Sequence, residues 1–374
     1  MCFSYKAHSQ IDYGISGYIF NLSSYSQTRY NKILGIIDIP SEESYSNLLR
    51  ARLRPTFNIG DNSRFEIQYE VNGILSNRNL FILTEISENR RQLVKLANNL
   101  YTDQQLALNH YIDRMFFKHI FDFGEVTIGR QRISWGVGRI WQPADLFNPI
   151  NPANFSKIEK DGADAVSMKF YLGNFTDFEI VYNPTKQKYP DNIGGRLRTN
   201  YSGYDISGIF GHFDDAFLIG GDFAGSILDA GFRGEFVYSF DDGYFGQDFL
   251  KFILGLDYQF NQNIYGMIEY QHNGLGTNIR NSYDYIKLAR GEILNVGTDY
   301  LAVNLAYRLS DLTTLSLTSN SNLIDGSGFL MFTGIYQAAQ NWQINLSTMA
   351  SYGEKGTEYR IYPISAFFVC QYYF

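Results

Sequence analysis

Arginines recur at every second position in two short stretches of this chain. In LLRARLRP they are Arg50, Arg52 and Arg54, and in GRQRISWG they are Arg130 and Arg132. A guanidinium group stays charged and binds carboxylates or phosphates through parallel hydrogen bonds. A row of such groups on one face can pass an anion stepwise, provided that each contact is weak enough to release it. The spacing therefore predicts an anion-binding surface.

Other charged side chains fall on the same face of their own stretches by the same alternation. The cations are Arg64, Arg114, Lys118, Lys169, Arg196, Arg198, Arg233 and Arg308, and the carboxylates are Glu66, Glu70, Glu179, Glu235, Asp257 and Glu269. The cations are in surplus, which favours anions because low-dielectric walls focus the field. The residues predicted to line an anion path are Arg50, Arg52, Arg54, Arg114, Arg130, Arg132, Arg233 and Arg308. The alternative is that most of these arginines only pair with the carboxylates and brace the fold.

No catalytic or metal-binding pattern is recognisable. Four histidines were considered as catalytic groups: His110, His119, His212 and His272. None has a spacing that brings a nucleophile, a base and an orienting group together. Asp241 and Asp242 could hold a cation, but solvated loop carboxylates are commoner, and Cys2 and Cys370 provide neither a disulfide framework nor metal-site spacing. We therefore predict no enzyme, no metal and no cofactor.

The elements that position the charges are β-strands, because polarity alternates with period two. Leu49, Ala51 and Leu53 oppose the arginines of LLRARLRP, and the stretches RFEIQYEVN, GFRGEFVYSF and LAVNLAYRL show the same segregation. An Arg or Lys on a lipid face would cost roughly 2–4 kcal/mol at the bilayer midplane. The segregation fits a membrane barrel with its charges in the lumen. A soluble sandwich remains the alternative that periodicity alone cannot separate.

Tight turns and longer loops alternate along the chain. The tight turns are predicted at 60–63, 121–125, 173–176, 200–203, 228–231, 260–263, 309–312 and 339–342, and the longer loops at 25–44, 76–105, 137–161, 184–192, 241–248, 275–295, 324–328 and 353–358. This asymmetry is typical of outer-membrane barrels, which have short periplasmic turns. A further connection at 212–216 is short but falls in the long-loop series. The segments between all these connections predict 18 strands, or 16 if the short stretch 195–199 is not a strand. An even number puts both chain ends on the periplasmic side.

Composition agrees with a membrane barrel. Aromatic residues make up 17% of the chain, with 29 Tyr and 30 Phe, as expected if aromatic girdles lie at both interfaces. No run approaches the length of an apolar spanning helix, and a closed barrel is the other structure that satisfies its backbone inside a bilayer. There is no composition break, so residues 1–374 are predicted to form one domain. MCFSYKAHSQ has no apolar signal core, so we expect any targeting peptide to have been removed or to be missing from this sequence.

The last stretch, ISAFFVCQYYF, alternates up to a terminal aromatic residue. It resembles the C-terminal targeting strand of Gram-negative outer-membrane proteins. That resemblance implies that the barrel-assembly machinery reads this strand, with Phe374 and Tyr372 as the assembly signal.

One block resembles a known family. GRQRISWG, at Gly129–Gly136, and DLFNP, at Asp145–Pro149, are similar to segments of outer-membrane porin-like barrels related to alginate-export porins. The resemblance implies a monomeric barrel of about eighteen strands with an arginine-rich lumen that passes solutes, often anionic ones. By alternation alone, Arg130, Arg132 and Ser134 should face the lumen, with Gly129, Gln131, Ile133 and Trp135 opposite them.

The loop after this block is rich in proline and aromatic residues, which stiffen it without making it a regular element. Two placements are open: the loop folds inward and narrows the pore, or it packs on the external rim. The residues predicted to form this constriction or cap are Trp141, Asp145, Phe147 and Asn148.

Together these features predict an all-β fold, a transmembrane antiparallel up-and-down barrel in the bacterial outer membrane. The predicted function is passive diffusion of small hydrophilic, anionic solutes. The predicted partners are outer-membrane lipid, the barrel-assembly machinery and small anionic solutes, with no nucleic acid at a net charge of −7. A monomer is favoured, since no seam identifies an oligomer interface.

The alternative function is a plugged barrel that acts as a scaffold or as an export conduit for a polysaccharide or protein partner. Its candidate docking element is RRQLVKLANNL, at 90–100, which is predicted to form a short amphipathic helix at the rim.

Overall fold

A computed structural model describes residues 11–29, 31–33, 37–78, 89–148, 159–240, 246–289 and 293–374. The first strands are β1 (Ile11–Gln27), β2 (Asn31–Ile33), β3 (Ile37–Ile39), β4 (Glu43–Ile59), β5 (Ser63–Ser76), β6 (Ala97–Thr102), β7 (Leu106–Phe121), β8 (Gly124–Gln131), β9 (Ala163–Tyr171), β10 (Asp177–Asn183) and β11 (Asn192–Tyr201). The others are β12 (Tyr204–Phe213), β13 (Ala216–Ile227), β14 (Ala230–Phe240), β15 (Phe249–Gln259), β16 (Ile264–Asn273), β17 (Asp299–Ser310), β18 (Thr313–Asn322), β19 (Gly328–Ala339), β20 (Trp342–Tyr352) and β21 (Ile364–Tyr373).

In the described parts of the chain, helical structure is confined to the connections. Two short 3-10 helices lie there at Arg280–Ser282 and Glu358–Ile361, and α1 is at Tyr285–Ala289. Among the described residues, no helix combines the length and hydrophobicity needed to cross a membrane. Cys2, Pro149, Pro152, Asp241 and Asp242 lie outside the described residues.

Eighteen strands close into an antiparallel barrel, which confirms the predicted fold class. β1 pairs with β4 on one edge and with β21 on the other. β4 continues through β5 and β7, and from β7 to β21 each strand pairs with the next. The stretch 195–199 that left 16 strands open belongs to the ten-residue strand β11. β2 and β3 form a separate small hairpin in the connection from β1 to β4.

The two ends of the barrel differ in their connections. At one end, called here the short-turn end, a few residues link each pair, as at 122–123, 202–203 and 340–341. Both described chain ends lie there too, because β1 begins and β21 finishes at this end. The opposite, long-loop end carries the connections 77–105, 132–162 and 274–298. An exception at that end is the two-residue turn 214–215.

Side chains alternate between the outer and inner faces of the wall. Along β4, Leu49 and Leu53 are 51% and 44% exposed, whereas Arg52 between them is 2% exposed. On β14, Phe236 is 45% exposed and the adjacent Glu235 is buried. An apolar outer band with polar side chains inside is the pattern of a barrel surrounded by lipid. It confirms the faces predicted for these strands.

Aromatic rings collect in two outer belts, one near each end of the barrel. Ring pairs near the long-loop end are Tyr25–Tyr45 at 5.0 Å and Phe217–Phe240 at 5.9 Å, and those near the short-turn end are Phe121–Phe123 at 5.2 Å and Tyr258–Phe260 at 5.1 Å. Aromatic side chains favour the two interfaces of a bilayer, so the belts mark the height of the wall that lipid would cover.

A bulge breaks the alternation on β7. Gln68 pairs with Arg114 while Tyr69 pairs with Ile112, so Asp113 is an extra residue in the ladder. A bulge places two consecutive residues opposite one. Asp113 is therefore buried beside Arg114, and both contribute charge to the interior.

The helix proposed for 90–100 is not present, which corrects that interpretation. Residues 97–102 form β6, which pairs with the upper part of β7. The physical reason is that β8 is short and leaves this part of the β7 edge without a partner. The Ile112 amide also donates to the Leu96 carbonyl at 2.9 Å, so backbone pairing decides the conformation here.

Candidate functional site

The chain leaves the barrel wall after Gln131. Gly129 has φ +119°, and a Cβ there would lie 2.3 Å from the carbonyl oxygen of Met115. This backbone conformation, open to glycine, disturbs the alternation, and β8 ends at Gln131. The predicted outward placement of Gln131, Ile133 and Trp135 is therefore wrong, because all three are buried inside the barrel.

Residues 132–148, called here the inserted segment, follow the inner wall. The first contacts are made by Ile133, Trp135 and Phe147. The Trp135 and Phe147 rings meet edge to face at 5.1 Å, and Phe147 lies 5.1 Å from Phe213. The wall residues of this apolar cluster are Ala163 and Ala165 on β9, Val181 on β10, Ile209 and Phe213 on β12, Leu218 on β13 and Val237 on β14.

The second contacts lie farther round the barrel. Trp141 is buried, with its ring 6.1 Å from Tyr300, and Ile140 packs beside it. The other residues of this cluster are Ile253 on β15, Ala302 on β17, Phe329 on β19, Met349 on β20 and Tyr359. The inserted segment thus runs along the inner wall from β8 towards β20.

Glu269 on β16 fixes the middle of the inserted segment. Its carboxylate accepts backbone hydrogen bonds from Arg139 at 2.8 Å, Ile140 at 2.9 Å and Trp141 at 2.8 Å. Hydrogen bonds to an ionised acceptor are roughly twice as strong as neutral ones. A buried loop without such acceptors would leave its amides unsatisfied.

Glu235 on β14 likewise accepts backbone hydrogen bonds from the inserted segment, from residues on either side of the stretch that Glu269 holds. It accepts from the amides of Val137 at 2.5 Å, Gly138 at 3.2 Å and Ala144 at 3.0 Å. Trp135 adds a side-chain contact, since its indole Nε1 donates to Glu179 of β10 at 2.9 Å. Three wall carboxylates therefore act as anchors for the inserted segment.

Sequence reasoning placed these glutamates in the lumen but missed their anchoring role. The residues paired with Glu269 could have indicated this anchoring role, because its cross-strand partners, Gly255 and Ala302, are small. Small neighbours leave room for another backbone to approach. The signal becomes visible only when the strand register is known.

The four residues predicted for the constriction or cap loop all lie in the inserted segment. Trp141 and Phe147 are buried in its apolar contacts. Asp145 forms an ion pair with Lys160. The Asn148 side-chain oxygen accepts from the Ile133 amide at 3.0 Å, which ties the two ends of the segment together. These contacts place the described part of the loop against the inner wall of the barrel.

Four predicted arginines meet in one place, Arg50, Arg52 and Arg54 from β4 and Arg114 from β7. Arg52 donates to Glu70 at 3.1 Å and to Gln68 at 2.6 Å and also contacts Asp113. Arg50 lies 3.0 Å from Glu70. Arg54 and Arg114 both pair with Glu159.

Two further predicted arginines are also paired. Arg130 donates to Asp164 at 2.7 Å and 3.0 Å and to the Ile112 carbonyl at 3.0 Å, and Arg233 pairs with Asp257. Six of the eight predicted arginines are thus bound by carboxylates, which is the bracing arrangement considered as the alternative.

The exposed cations are a smaller set. Arg132 and Arg308 from the prediction are exposed, and neither forms a salt bridge within the part of the chain that the structure describes. Arg139 on the inserted segment is exposed in the same way, and sequence reasoning did not select it. Its position inside the barrel depends on the Glu269 anchor, which the sequence alone does not show.

The predicted assembly residues lie at the seam of the barrel. Phe374 and Gly17 exchange two backbone hydrogen bonds, at 2.9 and 3.1 Å, beside the β1–β21 pair. The Phe374 side chain is exposed on the outer face. The Tyr372 ring lies 4.9 Å from the Trp342 ring and is tilted by 39° relative to it.

Within the described ranges, no group of three or more His, Cys, Asp or Glu side chains could hold a metal ion. His119 Nδ1 lies 2.7 Å from the Ser63 hydroxyl. The described residues include no carboxylate bonded to that histidine, so a nucleophile–base–acid arrangement is not formed there.

No protein-family model matches this sequence, and no curated protein matches it. Solved structures do match over almost the whole chain. Pseudomonas aeruginosa OccK7 (OpdD) is 10% identical with a TM-score of 0.59, over 97% of this chain and 99% of that chain. A triple mutant of Rhodopseudomonas blastica porin is 13% identical with a TM-score of 0.50, over 97% of this chain and 100% of that chain. At these identities the likeness shows the fold alone: the chain has the barrel fold of bacterial outer-membrane porins.

Proposed function

We propose that this protein is an outer-membrane channel through which small hydrophilic solutes diffuse passively, with a preference for anions. The observation that carries the proposal is the lumen itself. A closed barrel with an apolar outer band encloses an inserted segment that is fixed to the inner wall and exposes two arginines.

The same proposal includes the surroundings of the barrel. It places the protein in the bacterial outer membrane as a monomer, in contact with lipid, and assigns Phe374 to recognition by the barrel-assembly machinery. The similarity of GRQRISWG and DLFNP to alginate-export-type porins supports membership of that family.

Pairing decides which arginines set the anion preference. A guanidinium bound by a carboxylate contributes little net field, whereas an exposed, unpaired one attracts anions. The paired arginines therefore brace the wall, and Arg132, Arg139 and Arg308 attract the solute. Arg132 and Arg139 lie on the inserted segment, which narrows the path.

The test is single-channel recording in a planar bilayer, with the reversal potential measured under a salt gradient. The double variant Arg132→Gln/Arg139→Gln should lose anion preference. A unit charge at about 7 Å in water is worth about 0.6 kcal/mol, which attracts an anion and repels a cation by the same amount. Each removal should therefore lower anion permeability roughly threefold and raise cation permeability roughly threefold, so the anion-to-cation ratio should fall about sevenfold. The matched control is Arg198→Gln, a wall cation paired with Asp177, which should change the ratio less.

Each other outcome has a meaning. Steady conductance without ion preference would keep the channel and remove the anion preference. Silence that ends when part of 137–161 is deleted would favour the plugged scaffold or export conduit. Absence of conductance in both the wild type and the deletion variant would refute the channel.

A further inference from the structure

Glu159 places a carboxylate among three wall arginines. The residue lies in the connection from β8 to β9, just ahead of β9, and is not part of a strand. Its carboxylate is 3.0 Å from Arg114 Nη2 and 3.6 Å from Arg52 Nη2, and it also contacts Arg54. We call Arg52, Arg54 and Arg114 the arginine pocket.

This carboxylate differs from the others nearby. Glu70 and Asp113 belong to wall strands and are buried, so they are fixed partners of their arginines. Glu159 is partly exposed, with 21% of its side chain accessible. Within the described chain it supplies the only ion pair of Arg54.

The pocket has binding capacity beyond the bonds that Glu159 takes. The Nε–H groups of Arg52 and Arg54 are buried and donate no hydrogen bond within the residues that the structure describes. Without Glu159, the three arginines of the pocket outnumber the two fixed wall carboxylates, Glu70 and Asp113.

We propose that the arginine pocket is a binding site for the carboxylate group of small organic acids, and that Glu159 is a tethered competitor that occupies it between solutes. The inference rests on the proposed function and deepens it by naming the solute class. Guanidinium forks match a planar carboxylate, and the group observed in the pocket is itself a carboxylate. A tethered competitor has a high effective concentration, which keeps solute binding weak and reversible, as conduction requires.

The experiment is a calorimetric titration of the full chain in detergent with propionate, the free counterpart of a glutamate side chain. If Glu159 occupies the pocket about nine-tenths of the time, Glu159→Gln should bind propionate roughly tenfold more tightly than the wild type. The variant Glu159→Gln/Arg54→Gln should lose that gain. The β-sheet circular dichroism of each variant reports folding.

The matched control is Glu125→Gln, which removes the same charge from a carboxylate held by Lys118 at 2.6 Å and Lys169 at 3.7 Å. It should keep the wild-type affinity for propionate. Equal tightening in both variants would overturn the proposal, because a general change of field would then explain it. No tightening in Glu159→Gln would also overturn it.

Binding in detergent does not depend on conduction, so the two proposals fail separately. Tighter propionate binding by Glu159→Gln in a protein that never conducts would support the arginine pocket and refute the channel function. A conducting protein in which Glu159→Gln leaves propionate binding unchanged would sink the pocket and keep the channel.

Discussion

Arg130 donates to Asp164 through two nitrogens and to the backbone carbonyl of Ile112, and its side chain is almost fully buried. Arg132, two positions later, is exposed and belongs to the inserted segment. Because the two residues are two positions apart, strand alternation would put them on the same face, but their surroundings differ. The first is part of the wall, and the second is available to solutes.

Replacing Arg130 tests the wall role. Arg130→Met should destabilise the barrel by about 3–5 kcal/mol, because it leaves Asp164, of which only 14% of the side chain is exposed, without its cation. Urea unfolding in lipid vesicles measures the change. Arg198→Met removes a half-exposed partner of Asp177 and should cost below about 1 kcal/mol. Equal losses in the two variants would argue against a special role for Arg130.

Gly129 gives a second prediction at this scale. Gly129→Ala would place a methyl group against the Met115 carbonyl in a backbone conformation with positive φ. The variant should lose at least about 1–3 kcal/mol of stability, measured by the same unfolding transition. Gly208 has no atom within 4 Å of an added Cβ, so Gly208→Ala is the control and should be close to neutral. A stable Gly129→Ala barrel would contradict this account.

Among the elements, the inserted segment depends on wall carboxylates as much as on its apolar contacts. Glu269→Gln keeps the shape of the side chain but removes the charge that three amides share. The expected loss of local stability is about 1.5–3 kcal/mol. Hydrogen exchange at residues 139–141 should therefore accelerate by roughly ten- to a hundredfold.

The control for this prediction is Glu66→Gln, a lumen carboxylate paired with Arg64 at 2.5 Å near the short-turn end. It should leave exchange at 139–141 unchanged. If Glu269→Gln has no effect there either, the apolar clusters alone hold the inserted segment.

The long-loop end contains a pH-sensitive element. Glu358, in the 3-10 helix before β21, accepts from the Tyr300 hydroxyl at 2.6 Å and from the Asn322 amide at 2.8 Å. Burial raises the pKa of Glu358 to about 7, although these hydrogen bonds lower it. The folded state thus binds a proton more readily than the unfolded state, so stability should fall as pH rises from about 4.5 to 7.

Hydrogen exchange of residues 353–362 between pH 5 and pH 8 measures this effect, after correction for the intrinsic pH dependence of exchange. Protection should be greater at pH 5. The neutral variant Glu358→Gln should show the same protection at both values. A wild type whose protection rises with pH would show that the ionised form is the stabilised one.

For the whole molecule, the lumen and its inserted segment create a field that salt can screen. The Debye length falls from about 10 Å at 0.1 M salt to about 3 Å at 1 M. If unpaired arginines on the inserted segment set the ion preference, the preference should be strong at 0.1 M and nearly absent at 1 M. Reversal potentials at constant gradient ratio measure it. A preference that persists at 1 M would indicate a filter based on direct contact.

Strand alternation made much of the barrel predictable. Leu49, Arg50 and Leu53 are assigned to their faces by period two, because a side chain on a strand can point only to one face or the other. Alternation no longer predicts the faces after Gly129, because the chain leaves the barrel wall soon after it. The Asp113 bulge did the same on β7, where Asp113 and Arg114 face inward together.

The sequence by itself determined the barrel class, the approximate strand number and the set of charges inside, because these follow from local alternation. The tertiary structure alone decided which of those charges are free. Arg130 and Arg132 differ because their partners, such as Asp164, come from distant positions that only strand register and the path of the inserted segment bring together. Glu269 shows the same dependence, since its three amide partners lie more than a hundred residues away in the chain.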